Sequence, residues 1–386
     1  MASAADDLLP QMTAWRHDLH AHPEFGFSES RTAAMVAKTL RGFGLDDVVE
    51  GVGGTGVVAT LARGRGGGRI VGLRADMDAL RIRERGARPH ASRTDGLMHA
   101  CGHDGHTAML LGAARLLSCD ADFAGTVRFI FQPAEEWGRG AQAMLDDRLL
   151  TRFWLDEVYG LHNMPGIPIG GFETRVGALM AAEDKFEIVL TGRGGHASRP
   201  HVAQEVMVAA CALVGALQSI VSRRSDPGQA VVVSVTELLC DGARNVLPGE
   251  ARILGDARSF DPQVSAGIEA EMRRIASGVA ATYGLQARVD YTREFVPLIN
   301  HAGPTAAALA AAAEVFEPCA IKADCAPITA SEDFARLLLH VPGCFAFIGN
   351  GEDSAPLHNP EYDFDDRSLL LGARYLAQLA RMRVAA

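Results

Sequence analysis

The sequence has little positive charge. Its 37 lysine and arginine residues are outnumbered by 47 aspartate and glutamate residues, which gives a formal net charge of −10. Lysine is scarce beside arginine, and no basic run offsets the acidic balance. Because domains that bind nucleic acids usually present a basic face, a nucleic-acid partner is not expected.

Long apolar runs and an obvious cysteine framework are also lacking. The most apolar stretches are short or interrupted by charges and glycines, and we expect none to reach the roughly 18 residues of a membrane span. The N-terminal residues have no basic start followed by an apolar core, so they do not resemble a signal peptide. The short apolar stretches thus predict no membrane partner. The seven cysteines are scattered and odd in number, which predicts reduced thiols and a cytoplasmic protein.

The apolar residues that are present suffice for more than one core. They make up 48% of 386 residues, a length that favours two structural units. In the first half, β-rich runs at 70–75, 126–132 and 157–163 alternate with a helical pattern at 104–117. Strand–helix alternation of this kind predicts an α/β sheet with helices on its faces.

The pattern changes near residue 183. The order becomes strand, helix (202–220), two strands, a long helix (262–283) and a strand, which is the order of a split βαβ, ferredoxin-like α+β unit. After residue 293 the alternation resumes, with helices predicted at 304–316 and 331–339. We therefore predict a large α/β domain with a smaller inserted domain, the three segments being 1–182, 183–293 and 294–386.

Two sequence features could be mistaken for binding sites, a GxGxxG match and a group of histidines. Residues 51–56, GVGGTG, match the dinucleotide pattern GxGxxG, but the alternating VVATLA that follows predicts a hairpin turn instead of a helix. His17, His20 and His22 lie together near the N-terminus, where a solvated or capping role is the default expectation.

Metal-binding chemistry is indicated by HACGHDGH. Cys101 and His103 are followed by Asp104 and His106 at the start of the predicted helix. Thiolate and imidazole groups are donors that suit Zn²⁺ and its first-row neighbours. By itself the cluster is also compatible with a group of polar loop residues.

Further donors follow other strands. Glu135 and Glu136 leave an apolar strand, and neighbouring side chains of extended backbone point in different directions, so one can bind metal while the other faces a water molecule. His162 follows the next strand, and His358 lies near the end of the sequence. Polar residues at strand ends fit a site beyond the carboxyl edge of an open sheet, and together they could hold two metal ions.

The ordered motifs also carry a family resemblance. It extends over nearly the whole chain from RHDLHAHPEFGFSE at residues 16–29 and includes RADMDAL, HACGHDGH, FQPAEE, LHNMPGIPIG, GRGGHASRPH, NVLPGEA, SEDF and PLHNP. The chain resembles the hippurate hydrolase and N-acyl-amino-acid amidohydrolase branch of the aminoacylase–carboxypeptidase dinuclear metallopeptidase superfamily.

The resemblance implies roles for particular residues. The larger domain would be a metallohydrolase that holds two divalent ions (Mn, Zn, Co or Ni), and the inserted domain a lid that also forms a homodimer or a higher homo-oligomer. Glu135 falls on the general base, and His196 on a lid histidine that contacts the substrate carbonyl. Asn245 and Arg258 fall near positions used around the substrate carboxylate. The metal-ligand positions are Cys101, His103, Glu136, His162 and His358.

Two departures from the superfamily pattern stand out. Many members have His-x-Asp where this chain has Asp76-Met77-Asp78, a change that this branch generally shares and that leaves Asp78 an orienting role in catalysis. Relatives usually have proline where Arg81 opens an arginine-rich loop, residues 81–93.

The predicted activity is metal-dependent hydrolysis of the amide bond of a small N-acyl amino acid, to a carboxylic acid and a free amino acid. Three alternatives stay open at this point: a dipeptidase on the same scaffold, an amidase that uses Cys101 as its nucleophile, and a binding protein that kept the fold. The Glu135–Glu136 pair argues against the last, since a binder has no need of a general base.

Overall fold

The chain forms two compact units in a computed structural model that describes residues 8–45, 47–64 and 68–385. The first unit contains the described residues up to Leu179, Ile299–Ala326 and the residues from Glu332 onward. The second contains Met180–Leu298 and Pro327–Ser331. The boundaries expected from the sequence lie within a few residues of the two main divisions. The assignment of catalysis to one unit and of lid and dimer contacts to the other stays a prediction.

The secondary structure alternates as expected in the first unit. The described strands are β1 Asp47–Val52, β2 Gly56–Arg63, β3 Ile70–Asp76, β4 Gly125–Gln132, β5 Glu157–Met164, β6 Phe172–Glu173, β7 Gly177–Met180, β8 Ala182–Thr191, β9 Gly195–His196, β10 Val231–Cys240, β11 Val246–Leu247, β12 Glu250–Ser259, β13 Gln286–Phe295, β14 Leu298–Asn300, β15 Ile321–Lys322 and β16 Gly343–Gly349. The described α-helices are α1 Leu8–Ala21, α2 Ser30–Gly42, α3 His103–Ser118, α4 Gly140–Asp146, α5 Leu149–Arg152, α6 Val206–Leu217, α7 Pro262–Tyr283, α8 Ala302–Ala313, α9 Ala335–Leu338 and α10 Leu369–Val384.

An eight-stranded sheet forms the centre of the first unit, in the order β1-β2-β4-β3-β5-β16-β6-β15. Its middle strands β4, β3, β5 and β16 run parallel. Strands β5 and β16 are buried along almost their whole length, as parallel strands covered on both faces should be. Their carboxyl ends therefore meet at one edge of the sheet, where the predicted donors follow.

Two local predictions have different outcomes. Residues 53–55 form the turn between β1 and β2, which pair antiparallel, so the hairpin predicted at 51–56 is confirmed. The helix expected over 331–339 is wrong in extent, because only Ala335–Leu338 is α-helical. The Glu332 side chain accepts a hydrogen bond from the Phe334 backbone N–H at 2.9 Å, which replaces the first helical turn.

The second unit has the predicted split βαβ architecture. Its antiparallel sheet has the order β10-β12-β8-β13, with α6 and α7 contributing to a separate apolar core. Helix α7 has the predicted bounds because its ends are encoded locally. Asp261 accepts a hydrogen bond from the Gln263 N–H at 2.7 Å, Pro262 occupies the first turn, and Gly284 ends the helix at φ 69°.

One segment corrects the expectation about apolar runs. Val206–Arg224 is 19 residues long with a mean hydropathy of 1.7, so within the described chain it is long and apolar enough to span a membrane by length and composition. Its only arginines, Arg223 and Arg224, lie at its end. The apolar stretch is therefore longer than the sequence analysis predicted. Part of this segment, including Ala209 and Leu213, packs into the core of the second unit.

Candidate metal centre

The carboxyl edge of the parallel strands carries a cluster of polar residues. Strand β3 ends at Asp76, β4 ends at Gln132, and β5 contains His162 and Asn163 near its end. The first turn of α3 reaches the same edge, because His106 Nδ1 lies 2.6 Å from Asp76 Oδ1. The residues predicted to form the site therefore lie at the carboxyl ends of the strands, and their function as a site stays a prediction.

A glycine turn brings two of the predicted ligands together. Gly102, between Cys101 and His103, has φ 96°. A Cβ atom at Gly102 would lie 2.1 Å from Asn163 Oδ1, so no other residue fits without moving that amide. Cys101 Sγ lies 3.4 Å from His162 Nε2.

The two glutamates lie in a 3₁₀ turn, Glu135–Trp137. The prediction that Glu135 and Glu136 lie in extended backbone, from which we inferred that their side chains point in different directions, is therefore wrong. The turn follows Ala134 at φ 49°, whose N–H donates to Glu29 Oε1 at 2.8 Å. The Glu136 N–H donates to Asp78 Oδ2 at 3.0 Å, so both ends of this segment are held by buried carboxylates.

His358 reaches the cluster from the loop after β16. Its backbone N–H donates to the Ala100 carbonyl at 2.8 Å, and its φ of 64° is unusual for a residue with a side chain. His358 Nε2 lies 3.5 Å from Glu136 Oε1. Its side chain is 52% exposed, whereas that of Glu136 is 10% exposed, so the cluster opens to solvent on the His358 side.

All five predicted metal ligands meet in the first unit. They form two groups of three whose ligand atoms lie within 4.8 Å of one another, and Cys101 belongs to both. The first group is Cys101, His103 and His162, and the second is Cys101, Glu136 and His358. Two overlapping groups of this kind offer sulfur, nitrogen and oxygen donors for a pair of divalent ions.

Unsatisfied buried atoms support metal binding. His103 Nε2 and Glu136 Oε1 are buried and have no hydrogen-bond partner among the described residues. They lie 3.9 Å apart. A buried polar group without a partner costs about 1–3 kcal/mol, and a cation between these atoms would remove that cost. The donor set therefore fits Zn²⁺ or another first-row divalent ion.

The electrostatics of the cluster favour a cation. Burial lowers the pKa of His103, but the charge of Asp76, the hydrogen bond to Asp78 and the charge of Glu136 together raise it to about 10. Burial and the neighbouring His106 hold the pKa of His162 well below its usual range, so this ring is neutral and available as a ligand. An ion at His103 would take the place of the proton that the surrounding carboxylates stabilise.

Asp78 contacts two of the predicted ligands without belonging to either group of three. Its Oδ1 lies 3.1 Å from His103 Nδ1, and its Oδ2 accepts from the Glu136 N–H. A carboxylate on one ring nitrogen directs the other nitrogen of a ligating histidine toward the metal. This geometry suits the predicted orienting role, which stays a prediction.

We expect Asp78→Asn to weaken metal binding by about 10- to 100-fold, because the amide binds the imidazole N–H less strongly than the carboxylate does. Competition with a chromophoric chelator measures the affinity directly. Asp95→Asn is a matched control, since Asp95 is exposed and its side chain pairs with Arg83. Equal affinities in the two variants would contradict an orienting role.

Several residues beside the cluster were not assigned roles from the sequence. Arg74 is completely buried and contacts Asp76 at 2.7 Å, Glu332 at 2.9 Å and Asp333 at 3.1 Å. The Asp333 N–H faces Glu135 Oε1 at 3.3 Å, which links this ion network to the proposed base. The motifs RADMDAL and SEDF contained the signal, but their partnership depends on contacts between distant parts of the chain.

His20 corrects the expectation for the N-terminal histidines. It is fully buried instead of solvated, and its Nδ1 lies 2.8 Å from Asp104 Oδ2. Its Nε2 lies 3.4 Å from Glu84 Oε1. Burial lowers the pKa of His20, but the hydrogen bonds to Asp104 and Glu84 outweigh this effect and raise it to about 9.

This ion pair predicts a pH-dependent stability. Since the folded-state pKa lies above the ordinary value of 6.5, the protonated ring stabilises the fold fully below about pH 6.5 and ceases to as the pH rises through about 9. His20→Gln should therefore lower the free energy of unfolding more at pH 6 than at pH 10, as urea titrations would measure. The same titrations on His340→Gln, at an exposed position, give the effect of removing a surface histidine. A pH-independent loss in His20→Gln would refute the ion pair.

The predicted substrate residues of the inserted domain lie in the second unit. His196 is exposed on β9, and its Nδ1 accepts from the Ser198 N–H at 3.1 Å and lies 2.8 Å from Ser198 Oγ. The Asn245 carbonyl accepts from the Ala197 N–H at 3.0 Å, which places Asn245 beside this strand. Arg258 contacts Asp256 at 2.7 Å and Glu183 at 3.1 Å, so its guanidinium already has carboxylate partners. The substrate roles of these residues stay predictions.

Comparison with known proteins assigns the family. Residues 72–382 match the sequence pattern of Peptidase family M20/M25/M40. The chain belongs to this family. The resemblance drawn from the ordered motifs is thereby confirmed, and the chain is an amidohydrolase of the M20 family.

Individual relatives match along almost their entire lengths. The chain is 39% identical over 374 residues to a protein of Campylobacter jejuni named hippurate hydrolase, covering 97% of each chain. It is 38% identical over 367 residues to a Bacillus subtilis protein named N-acetylcysteine deacetylase, covering 95% of this chain and 94% of the relative. A Bacillus subtilis structure described as a dinuclear metal binding peptidase of the M20 family matches with a TM-score of 0.87 and 33% identity, over 99% of each chain. The predicted α/β class with an inserted domain is consistent with that fold.

Proposed function

We propose that this M20-family protein uses two divalent metal ions to hydrolyse the amide bond of N-acyl amino acids. The observation that carries the proposal is the pair of overlapping ligand groups with the Glu135 carboxylate beside them, whose oxygen lies within 4.8 Å of ligand atoms of His103 and Glu136. The names of the relatives support the substrate class, since hippurate and N-acetylcysteine are both N-acyl amino acids. The products are a carboxylic acid and a free amino acid.

The metal ions would be held by Cys101, His103, Glu136, His162 and His358. When bound, such ions polarise a carbonyl group and lower the pKa of a water molecule. The protein positions the metal ligands through the turn at Gly102 and the contacts of Asp78. It also provides a side chain that transfers protons. Manganese, zinc, cobalt and nickel are all compatible with the sulfur, nitrogen and oxygen donors.

Glu135 has the properties of that group. Its side chain is buried, and burial together with the charges of Glu332 and Glu136 raises its pKa well above the ordinary range. A carboxylate with raised proton affinity is a stronger base at neutral pH and, once protonated, can deliver the proton to the departing amine. His196 is proposed to donate to the oxyanion, and Asn245 with Arg258 to contribute to substrate binding.

The cysteine-nucleophile alternative has less support in the site. Burial and the charges of Glu136 and Glu135 raise the pKa of the Cys101 thiol well above its ordinary value. Its histidine neighbour, His162, has a lowered pKa and so does not favour a thiolate–imidazolium pair. A dipeptidase would use the same metal site and differ in the acyl side of the substrate.

Chelation distinguishes these functions. Excess chelator should abolish hydrolysis of N-acetyl and N-benzoyl amino acids, and Mn²⁺, Zn²⁺, Co²⁺ or Ni²⁺ should restore it, with metal content followed by elemental analysis. Full activity in excess chelator that is lost on thiol alkylation would establish the cysteine mechanism instead. A panel that includes dipeptides decides between the amidohydrolase and the dipeptidase.

We also propose that the protein is a cytoplasmic homodimer joined through the second unit. Its seven free cysteines are consistent with a reducing compartment. Strand β10 is an edge strand, and exposed apolar side chains lie on it and on α6: Met207, Val208, Val232, Leu238 and Leu239. A monomeric mass measured by light scattering would contradict the proposed dimer.

A further inference from the structure

Four side chains of the first unit form what we term the aromatic wall: Phe25, Phe27, Trp137 and Arg81. The ring centroids of Phe25 and Trp137 lie 4.9 Å apart, and those of Phe27 and Trp137 lie 6.2 Å apart, both edge to face. The Arg81 guanidinium carbon lies 4.1 Å from the Phe25 ring centroid, in cation–π geometry.

The wall borders the metal centre. Trp137 directly follows Glu136 and belongs to the same 3₁₀ turn. On the other side, Phe25 pairs with Ala79, next to Asp78, and the Ala79 N–H donates to the Glu24 carbonyl at 2.8 Å. The wall is therefore attached to the segment that carries Glu135 and Glu136 and to the segment that carries Asp78.

Close packing leaves the wall little freedom to move. A Cβ atom at Gly26 would lie 3.0 Å from the Ala134 Cβ and 3.6 Å from Asp78 Oδ2, so the backbone between the two phenylalanines presses against the site. Phe27 has φ 61°, a conformation that aromatic residues rarely adopt. A rigid, preformed surface loses less conformational entropy when a ligand binds.

The wall nevertheless presents its aromatic rings to solvent. Trp137 is 40% exposed and Phe27 is 37% exposed, although both lie beside a buried cluster. Arg81 is exposed too, and no carboxylate of the described residues lies within ion-pair distance of it. Two of the four other arginines of the 81–93 loop are paired, Arg83 with Asp95 and Arg88 with Glu84 and Asp363. An aromatic surface with an unpaired cation is complementary to a ligand that has both a ring and an anionic group.

We propose that the aromatic wall selects N-acyl derivatives of aromatic amino acids. The substrate's aromatic side chain packs on Trp137 and Phe27, and its α-carboxylate pairs with Arg81. In such a substrate, the ring and the carboxylate both belong to the amino-acid half of the molecule. This matches the aromatic wall, in which the rings and the Arg81 guanidinium lie together. An aromatic acyl group would place the ring on the half without the carboxylate. This inference rests on the proposed function and refines it.

The test compares kcat/KM for N-acetyl-L-phenylalanine and N-acetyl-L-alanine. The wild-type protein should prefer the phenylalanine substrate, and Trp137→Ala should reduce that ratio by about tenfold or more, since it removes an aromatic contact and its buried area. Trp137→Phe should retain most of the preference. Trp154→Ala, which removes an exposed tryptophan of the same unit, should leave the ratio unchanged. Arg81→Gln should raise KM for N-acetyl-L-phenylalanine by about tenfold, and Arg83→Gln should not.

The outcomes separate this inference from the proposed function. If the metal-loaded wild type hydrolyses neither substrate, the proposed function fails. If it hydrolyses both and Trp137→Ala lowers both rates equally, with its thermal unfolding unchanged, the aromatic wall is not a specificity element. A Trp137→Ala variant that alters only the preference for N-benzoyl over N-acetyl groups on one amino acid would likewise overturn the assignment to the amino-acid half.

Discussion

Replacing Glu135 by glutamine is expected to lower kcat by about 10²- to 10⁴-fold while the protein keeps its bound metal. Glutamine preserves the shape of the side chain and can still accept the hydrogen bond that the Asp333 N–H offers to Oε1. It cannot take up a proton from water or return one to the departing amine. The loss should therefore appear in catalysis and leave the ligand cluster intact.

Elemental analysis of the purified variant, together with initial rates on an N-acyl amino acid, would show the two effects separately. Glu136→Ala is the paired variant. Glu136 Oε1 is buried, has no hydrogen-bond partner in the described part of the chain and belongs to a ligand group, so its removal should release metal. A Glu135→Gln protein that keeps more than about one hundredth of the wild-type rate would mean that the base is misassigned.

Replacing Arg74 by methionine should lower the free energy of unfolding by about 3–5 kcal/mol. Its guanidinium is fully buried and lies within ion-pair distance of three buried carboxylates, those of Asp76, Glu332 and Asp333. Burial lowers the pKa of Arg74, but these charges outweigh it and raise the pKa above its ordinary value, so the arginine stays charged. Without it, carboxylates in a low-dielectric interior would lose their counter-charge.

Urea unfolding at neutral pH measures this change. Arg83→Met serves as the control, because Arg83 and Asp95 form an exposed ion pair whose loss should cost less than about 1 kcal/mol. Equal stabilities of the two variants would show that the buried carboxylates take up protons at little cost. Burial raises the pKa of Asp333 to about 7 despite the opposing charge of Arg74, so this carboxylate takes up a proton more readily than an ordinary aspartate.

Local patterns in the sequence predicted the parts of the fold whose causes are local. Helix α7 has the predicted bounds because its cap, its first-turn proline and its terminal glycine are adjacent in sequence. The parallel strands of the first unit were found from their apolar runs, which reflect burial on both faces. The prediction failed for the helix expected over 331–339, where the Glu332 side chain accepts from the Phe334 N–H and also pairs with the distant Arg74.

The metal ligands illustrate both cases. Donor chemistry and position after strands pointed to Cys101, His103 and Glu136, and the motif resemblance added the individual roles. The sequence alone could not show that Cys101 belongs to two ligand groups, or that Asp78 holds both His103 and the Glu136 backbone. Both observations depend on distances between side chains, and the pairing of the strands sets those distances.

The sequence by itself thus determined the donor types, the order of the elements and the family. Only the tertiary structure decided which charges are buried together. His20 pairs with Asp104 across 84 positions, and Arg74 pairs with Glu332 across 258. Residues so far apart meet only because the sheet and its helices bring them to one edge, and burial there gives their interactions the strength that solvent would screen.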